Sequence, residues 1–194
     1  APEADLRVDL QFSDDVDAVR ATLVPALQAD DRLSGVRVYA QVLYEASGAE
    51  GWEAMRVEVG DYSGESVAFL SGAAPTSGQI ALSVLNAKKY DRRVGDTMTL
   101  RRNDVDVSLV VSGIYQDVTS GGRTAKMAGE VTSGASGYTM FADVSGADPA
   151  TVAAEYAASF PSASVIPMRE YVSQTLSYVT DAFRSAAIVA FAFG

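Results

Sequence analysis

An α+β fold follows from three features of this 194-residue chain. Apolar alternation, helical periodicity and alternation succeed one another near the start, and the same succession returns near the end. A stretch of short strands and turns separates the two. A long helical seam closes the chain. Two β-α-β units held apart by an insertion suggest a split, ferredoxin-like sheet with its helices on one side. The two units share an expected structure rather than a repeated sequence.

The elements can be justified in order. Leu6, Val8, Leu10 and Phe12 share one face of a strand over residues 5–12. Ser13 is the expected cap of the helix that follows, with Asp14 and Asp15 in its first turn, where the helix dipole favours acids. Val16, Val19, Leu23 and Leu27 carry that helix to about residue 29. Pro25 lies inside it and predicts a kink, because proline removes one backbone hydrogen bond. Val36, Val38, Ala40, Val42 and Tyr44 then alternate as a strand.

In the second unit Tyr138, Met140, Ala142 and Val144 alternate, Asp148-Pro149 opens a helix, and Val152, Tyr156 and Phe160 line one side of it. Residues 163–167 form the short return strand. Between the units, Met55, Val57 and Val59 mark a strand at 52–59, and 60–65 is turn-rich. The block 78–117 reads as strand, short helix, turn, strand, turn, strand. Ser83 caps its helix, Gly95-Asp96 turns the chain into Thr97–Arg102, and Asn103-Asp104 closes a hairpin onto Val105, Val107, Leu109 and Val111. Residues 118–137 lack any period and are rich in glycine, which predicts a long mobile loop. Val172, Leu176, Val179, Phe183, Ala186, Ala190 and Phe193 recur at seam spacing. A helix over 169–193 would be roughly 35 Å long. Its apolar end after Arg184 is too short to span a bilayer, which takes about 20 residues, but resembles the beginning of a span.

Composition narrows the function. A formal charge of −10 and a pI near 4.4 argue against nucleic acid as a partner. Acids crowd residues 1–31, and a basic run of Lys88, Lys89, Arg92, Arg93, Arg101 and Arg102 comes later; both read first as solvated faces. The chain has no cysteine and no histidine. Disulfides, thiolate chemistry, the Ser-His-Asp triad and most zinc sites are thereby removed.

What remains is weak. The segment GGRTAKMAG at 121–129 lacks the order of a phosphate loop, and GASG around Ser136 is not a nucleophile elbow. A Ser83 dyad with Lys88 or Lys89 is formally possible, but helix capping explains Ser83 better. Asp104 with Asp106, and Asp14, Asp15 and Asp17, fit no calcium loop. Trp52 and Tyr62 could form a ligand platform or simply pack. No catalytic, cofactor-binding or metal-binding residue is assigned.

Several short motifs in 78–117 carry a resemblance. They are Gly78-x-Ile80-Ala81-Leu82-Ser83, Ala87-Lys88-Lys89, Val94-Gly95-Asp96-Thr97 and Val111-x-Gly113-Ile114-Tyr115. In this order and spacing they resemble the extracytoplasmic, MacB-like periplasmic core domain of FtsX/MacB-like ABC-transporter permeases. The resemblance implies a porter-like subdomain from 1–60 and 138–168, an inserted β-rich subdomain at 61–137, and a stem helix at 169–194 leading toward the membrane. It implies a non-enzymatic domain outside the cytoplasmic membrane, joined to it by flanking helices that this chain lacks. ATP would be hydrolysed on a separate cytoplasmic ATPase domain or subunit, with a second permease copy alongside. The chain, starting at Ala1-Pro2, would then be an excised fragment. An extracytoplasmic partner protein or exported substrate is the expected contact, and Arg123, Lys126 and Met127 are the candidate contact residues. The alternative is a free-standing secreted binding protein or a carboxylate-dependent hydrolase.

Overall fold

Strand alternation and helix caps place the elements of the computed structural model, which describes residues 4–11, 15–64 and 67–168. Strand β1 (Leu6–Gln11), helix α1 (Val16–Ala29) and strand β2 (Leu33–Gly48) form the first unit. Strand β9 (Gly137–Val144), helix α3 (Pro149–Ser159) and strand β10 (Ser164–Pro167) form the last. Between them run β3 (Gly51–Gly60), β4 (Phe69–Gly72), β5 (Gln79–Ser83), α2 (Val84–Lys89), β6 (Thr97–Arg102), β7 (Val105–Tyr115) and β8 (Thr124–Ala128).

The two outer units interleave. Their strands lie in the order β10-β1-β9-β2, every neighbouring pair antiparallel. The two strands of each unit are therefore parallel, with one strand of the other unit between them. Leu6, Val8 and Leu10 of β1, and Tyr138, Met140 and Ala142 of β9, are buried with Leu23 and Leu27 of α1 and Val152 of α3. The helices meet where Tyr156 Oη donates to Asp30 Oδ2 at 2.8 Å and to the Ala26 carbonyl at 3.3 Å. Burial and that bond to Asp30 push the Tyr156 phenol up to about 12. On the other sheet face, Arg7 and Arg37 flank the Phe141 ring, each guanidinium 5.8 Å from its centroid.

The inserted strands close into a ring. β2 pairs with β3, β3 with β8, β8 with β5, β5 with β7, β7 with β6, and β6 returns to β2. This is a six-stranded barrel, with β4 attached to the end of β7. Val42, Ala46, Met55, Val57, Ile80, Leu82, Met98, Leu100, Leu109, Val111 and Ala125 are buried and fill it with side chains. β2 belongs to both bodies. Residues Leu33–Gln41 pair with β9, and Ala40–Gly48 pair with β3.

Three expectations change here. The cap of α1 is Asp15, which accepts the Ala18 N–H at 3.2 Å, and not Ser13. The helix itself runs to Ala29 as expected, with Pro25 inside it. Ala21 and Pro25 both lie on its exposed side, so the carbonyl that proline leaves unpaired faces water. The expected loop at 118–137 contains strand β8, which pairs on both sides. Val105 and Val107 share the parity of buried Leu109 and Val111 but are exposed; Val105 stands opposite Arg102 beside the hairpin turn, and Val107 opposite Leu100, where β6 meets β2. That hairpin turns through Asn103 and Asp104, at φ 51° and 60°. Two consecutive left-handed residues match the right-handed twist of a two-residue hairpin. The expected stem helix at 169–194 lies outside the described residues.

A polar clasp joins the two bodies. Asp17 of α1 accepts from Tyr138 Oη at 2.6 Å and from the Gly134 N–H at 2.8 Å. The Tyr138 bond is the main cause that holds the Asp17 carboxyl below its usual range. Arg102 of the ring donates to the Ser133 and Gly134 carbonyls at 3.2 Å each. Ser136 N–H donates to the Gln41 carbonyl at 2.8 Å. Segment 129–136 is thus tied to the helix on one side and to the barrel on the other.

At Gly60 a Cβ would stand 2.3 Å from Tyr39 Cδ1, inside van der Waals contact. Gly60→Ala is expected to lower stability by about 2 kcal/mol in denaturant titrations, because the buried Tyr39 ring cannot move aside. Asp17→Ala removes two bonds to a carboxylate and is expected to lose about 2 kcal/mol in the same measurement.

Candidate partner-contact surface

Strand β8 carries Lys126 and Met127, and Arg123 immediately precedes it; the neighbours decide what each of the three can do. Thr124 starts the strand. Its N–H donates to Ser83 Oγ at 3.2 Å, and its carbonyl accepts from Asn86 Nδ2 at 2.9 Å. Ser83, fully buried, also accepts the Asn86 N–H at 3.3 Å and caps α2. Thr124 Oγ1 donates to the Asp117 carboxylate and accepts from Tyr115 Oη at 2.8 Å. Burial opposes the charge of Asp117, and the Thr124 and Thr119 bonds outweigh it, so its pKa lies below the usual range.

Lys126 points outward from the ring into a cage built from the same chain. Its Nζ lies 2.9 Å from Glu58 Oε1, and 5.3 and 5.2 Å from the Tyr62 and Tyr115 ring centroids. Tyr62 Oη donates to Glu58 Oε1 at 2.8 Å, and Gln41 Nε2 donates to Oε2 at 3.2 Å. Burial works against the Glu58 charge. The Lys126 ammonium and the donors around it overcome that penalty and hold the carboxyl below its ordinary range. Burial, reinforced by the Glu58 charge, pushes the Tyr62 phenol far up. Met127 stands in register with Val59 and Ile80 and packs against the core.

Arg123 has a different setting. It is exposed just before β8 and acts electrostatically on Glu53 and Lys89. Lys89 Nζ is 2.8 Å from Glu53 Oε2. This end of the ring comprises α2, a 3-10 turn at Ser120–Gly122 and the start of β3. Leu85, 44% exposed, lies over the turn, with its Cδ1 3.0 Å from where a Gly122 Cβ would stand. Val118 is 92% exposed. Across the described residues, the exposed large apolar side chains all belong to the ring and its connections, from Leu43 to Val118.

The other sequence candidates are distributed elsewhere. Arg101 Cζ stacks 3.8 Å over the Trp52 ring, while Tyr62 packs on Tyr39 with centroids 5.4 Å apart, so Trp52 and Tyr62 form no common platform. Asp106 is bound by Arg101 at 2.7 Å. Lys88 and Lys89 extend from the last turn of α2, while Ser83 is committed to its cap. Sequence reasoning passed over Glu58, Leu85 and Val118. Glu58 carries a usable signal, as an acid in an otherwise well-formed strand, but its partner is 68 residues away.

Neither a protein-family profile nor a curated protein sequence matches the chain. Solved structures do. The extracellular domain of the noncanonic ABC-type transporter YknZ from Gram-positive bacteria superposes with a TM-score of 0.53 at 11% identity, covering 83% of this chain and 98% of that one. The chain shares the fold of that extracellular domain. A domain from Porphyromonas gingivalis whose name assigns it to a permease follows, at TM-score 0.46 and 9% identity, covering 84% and 90% of the two chains, and carries no weight below. The expected resemblance to a permease's extracytoplasmic domain thus holds at the level of fold.

Glu58→Gln is expected to cost about 2 kcal/mol at neutral pH, since it strips Lys126 of its counter-charge. The folded-state pKa of Glu58 lies below the unfolded value, so its stabilisation is present above that value and is lost as pH falls through the folded one. The gap between the native chain and the variant should therefore narrow below about pH 4.3. Thermal melts of both proteins from pH 7 to pH 3 check this.

Proposed function

We propose that this chain is the extracytoplasmic domain of an ABC-transporter permease, binding a partner or exported substrate and passing on movement driven by ATP hydrolysed on a separate ATPase domain or subunit. One observation carries the reading. The two ends of the described body leave side by side, with Met168 N–H donating to the Asp5 carbonyl at 2.9 Å and Leu6 opposite Pro167. A body entered and left at one place is suited to insertion between two membrane helices. The likeness to the YknZ extracellular domain supports the same reading.

In this reading residues 1–60 and 138–168 act as the ferredoxin-like porter subdomain and 61–137 as the inserted one, with β2 and β3 leading from the first into the ring. Residues 169–194 form the stem toward the membrane, and a second permease copy stands beside the first. The domain performs no catalysis of its own. Of the expected contacts, Arg123 is retained as a partner residue, because Lys126 is held by Glu58 and Met127 by the core.

These 194 residues hold no cysteine, so a thiol introduced here reports on this domain when the unsubstituted gene product is labelled alongside as the control. Ser108, exposed on β7, is replaced by cysteine in the complete gene product. A membrane-impermeant maleimide should label it in intact cells. Labelling only after the cytoplasmic membrane is opened would overturn the proposal.

A further inference from the structure

The split sheet carries an open groove on the face turned away from its helices. The groove has a volume of about 330 Å³ and is lined by Arg7, Asp9 and Gln11 of β1, Ser164 of β10 and Ser162 of the turn between α3 and β10. Its frame is firm. β1 is paired with β10 on one side and with β9 on the other, and Asp9 stands directly opposite Ser164. The Ala163 N–H closes the turn onto the Phe160 carbonyl at 2.9 Å. Two of the five lining side chains are committed to each other: Arg7 Nε and Nη2 donate to Asp9 Oδ2 and Oδ1 at 2.9 and 3.3 Å. Asp9 Oδ1 also accepts from Thr139 Oγ1 at 2.9 Å. The other three, Gln11, Ser162 and Ser164, make no side-chain hydrogen bond among the described residues.

The chemistry of the lining narrows the ligand. Sites for apolar ligands are walled mainly by apolar side chains, and here every lining side chain is polar. The Arg7 fork is spent on Asp9, so the groove carries no net charge. An anion would meet the Asp9 carboxylate, and a cation the Arg7 guanidinium. An extended peptide binds through backbone bonds at a free sheet edge, but the backbone of β1 is already paired on both sides. What the groove offers is two hydroxyls and a carboxamide, each able to donate and to accept. Ile166 and Phe141 flank Arg7 on the same face, so apolar surface adjoins these polar groups. A sugar has both properties, since each hydroxyl donates and accepts while the ring presents C–H groups. We infer that this groove is a binding site for a neutral saccharide, held by Gln11, Ser162 and Ser164. The inference goes beyond the permease reading and does not rest on it.

The probes are cellobiose and maltose, each titrated to tens of millimolar into the isotope-labelled chain and followed by amide chemical shifts. Inorganic phosphate and acetylated trialanine amide are the controls. At least one disaccharide should shift amides within 7–11 and 162–166, and neither control should. Gln11→Ala and Ser164→Ala each remove a side chain that bonds nothing within the chain, so the rest of the spectrum should stay in place. Each should weaken sugar binding about three-fold, and the two together about ten-fold. Shifts there from phosphate or from the peptide, no response to either sugar, sugar shifts confined to other residues, or a double variant that binds as the native chain does would each overturn the inference. Maleimide labelling of the Ser108→Cys protein is unaffected by any of these results, so the groove can fail while the permease reading stands.

Discussion

Strand β2 must satisfy its backbone hydrogen bonds along 16 residues, and it does so in two different bodies. Its first part is paired with β9 in the split sheet, and its second with β3 and β6 in the ring. Buried backbone groups left unpaired are expensive. The sheet and the ring therefore cannot be separated without breaking one continuous ladder. The alternation Ala40, Val42, Tyr44, Ala46 keeps one buried row running through the junction, so a single apolar cluster extends from the helices into the barrel. Gly60 and Tyr39 lie at this same crossing, where the chain returns from the ring.

The elements legible in the sequence are those set by local chemistry. β1, β2 and β9 show their alternation, Asp148-Pro149 opens α3, Ser83 caps α2, and Asn103-Asp104 makes the hairpin turn. What remained hidden depends on distant pairing. β8 has five residues among glycines, too few to establish a period, and becomes a strand because β3 and β5 offer it two edges. The closure of the ring rests on Glu45 and Ala46 meeting Arg101 and Leu100, a contact between segments that carry no local sign of it.

The candidate site was legible only in part. In the sequence Arg123, Lys126 and Met127 stand out by their chemistry within a glycine-rich stretch without period. Strand formation sorted them by direction: Met127 toward the core, Lys126 into a tyrosine cage, Arg123 into solvent. A lysine on an acidic chain attracts attention as a free charge. Here it neutralises a half-buried carboxylate and fastens β8 to β3. Leu85 and Val118 gave no warning, since single apolar residues in polar segments are common on surfaces.

The adjacency of Asp5 and Met168 also governs how the domain responds to force. These two points lie at the same end of an antiparallel strand pair, β1 with β10, whose register spans four residue pairs. Tension that draws the two chain ends apart would act on those hydrogen bonds one at a time, as in opening a zipper. A push or tilt applied to both ends together loads the whole sheet at once and travels along β2 into the ring. The body is thus mechanically weak against splaying of its two connections and stiff against their joint displacement.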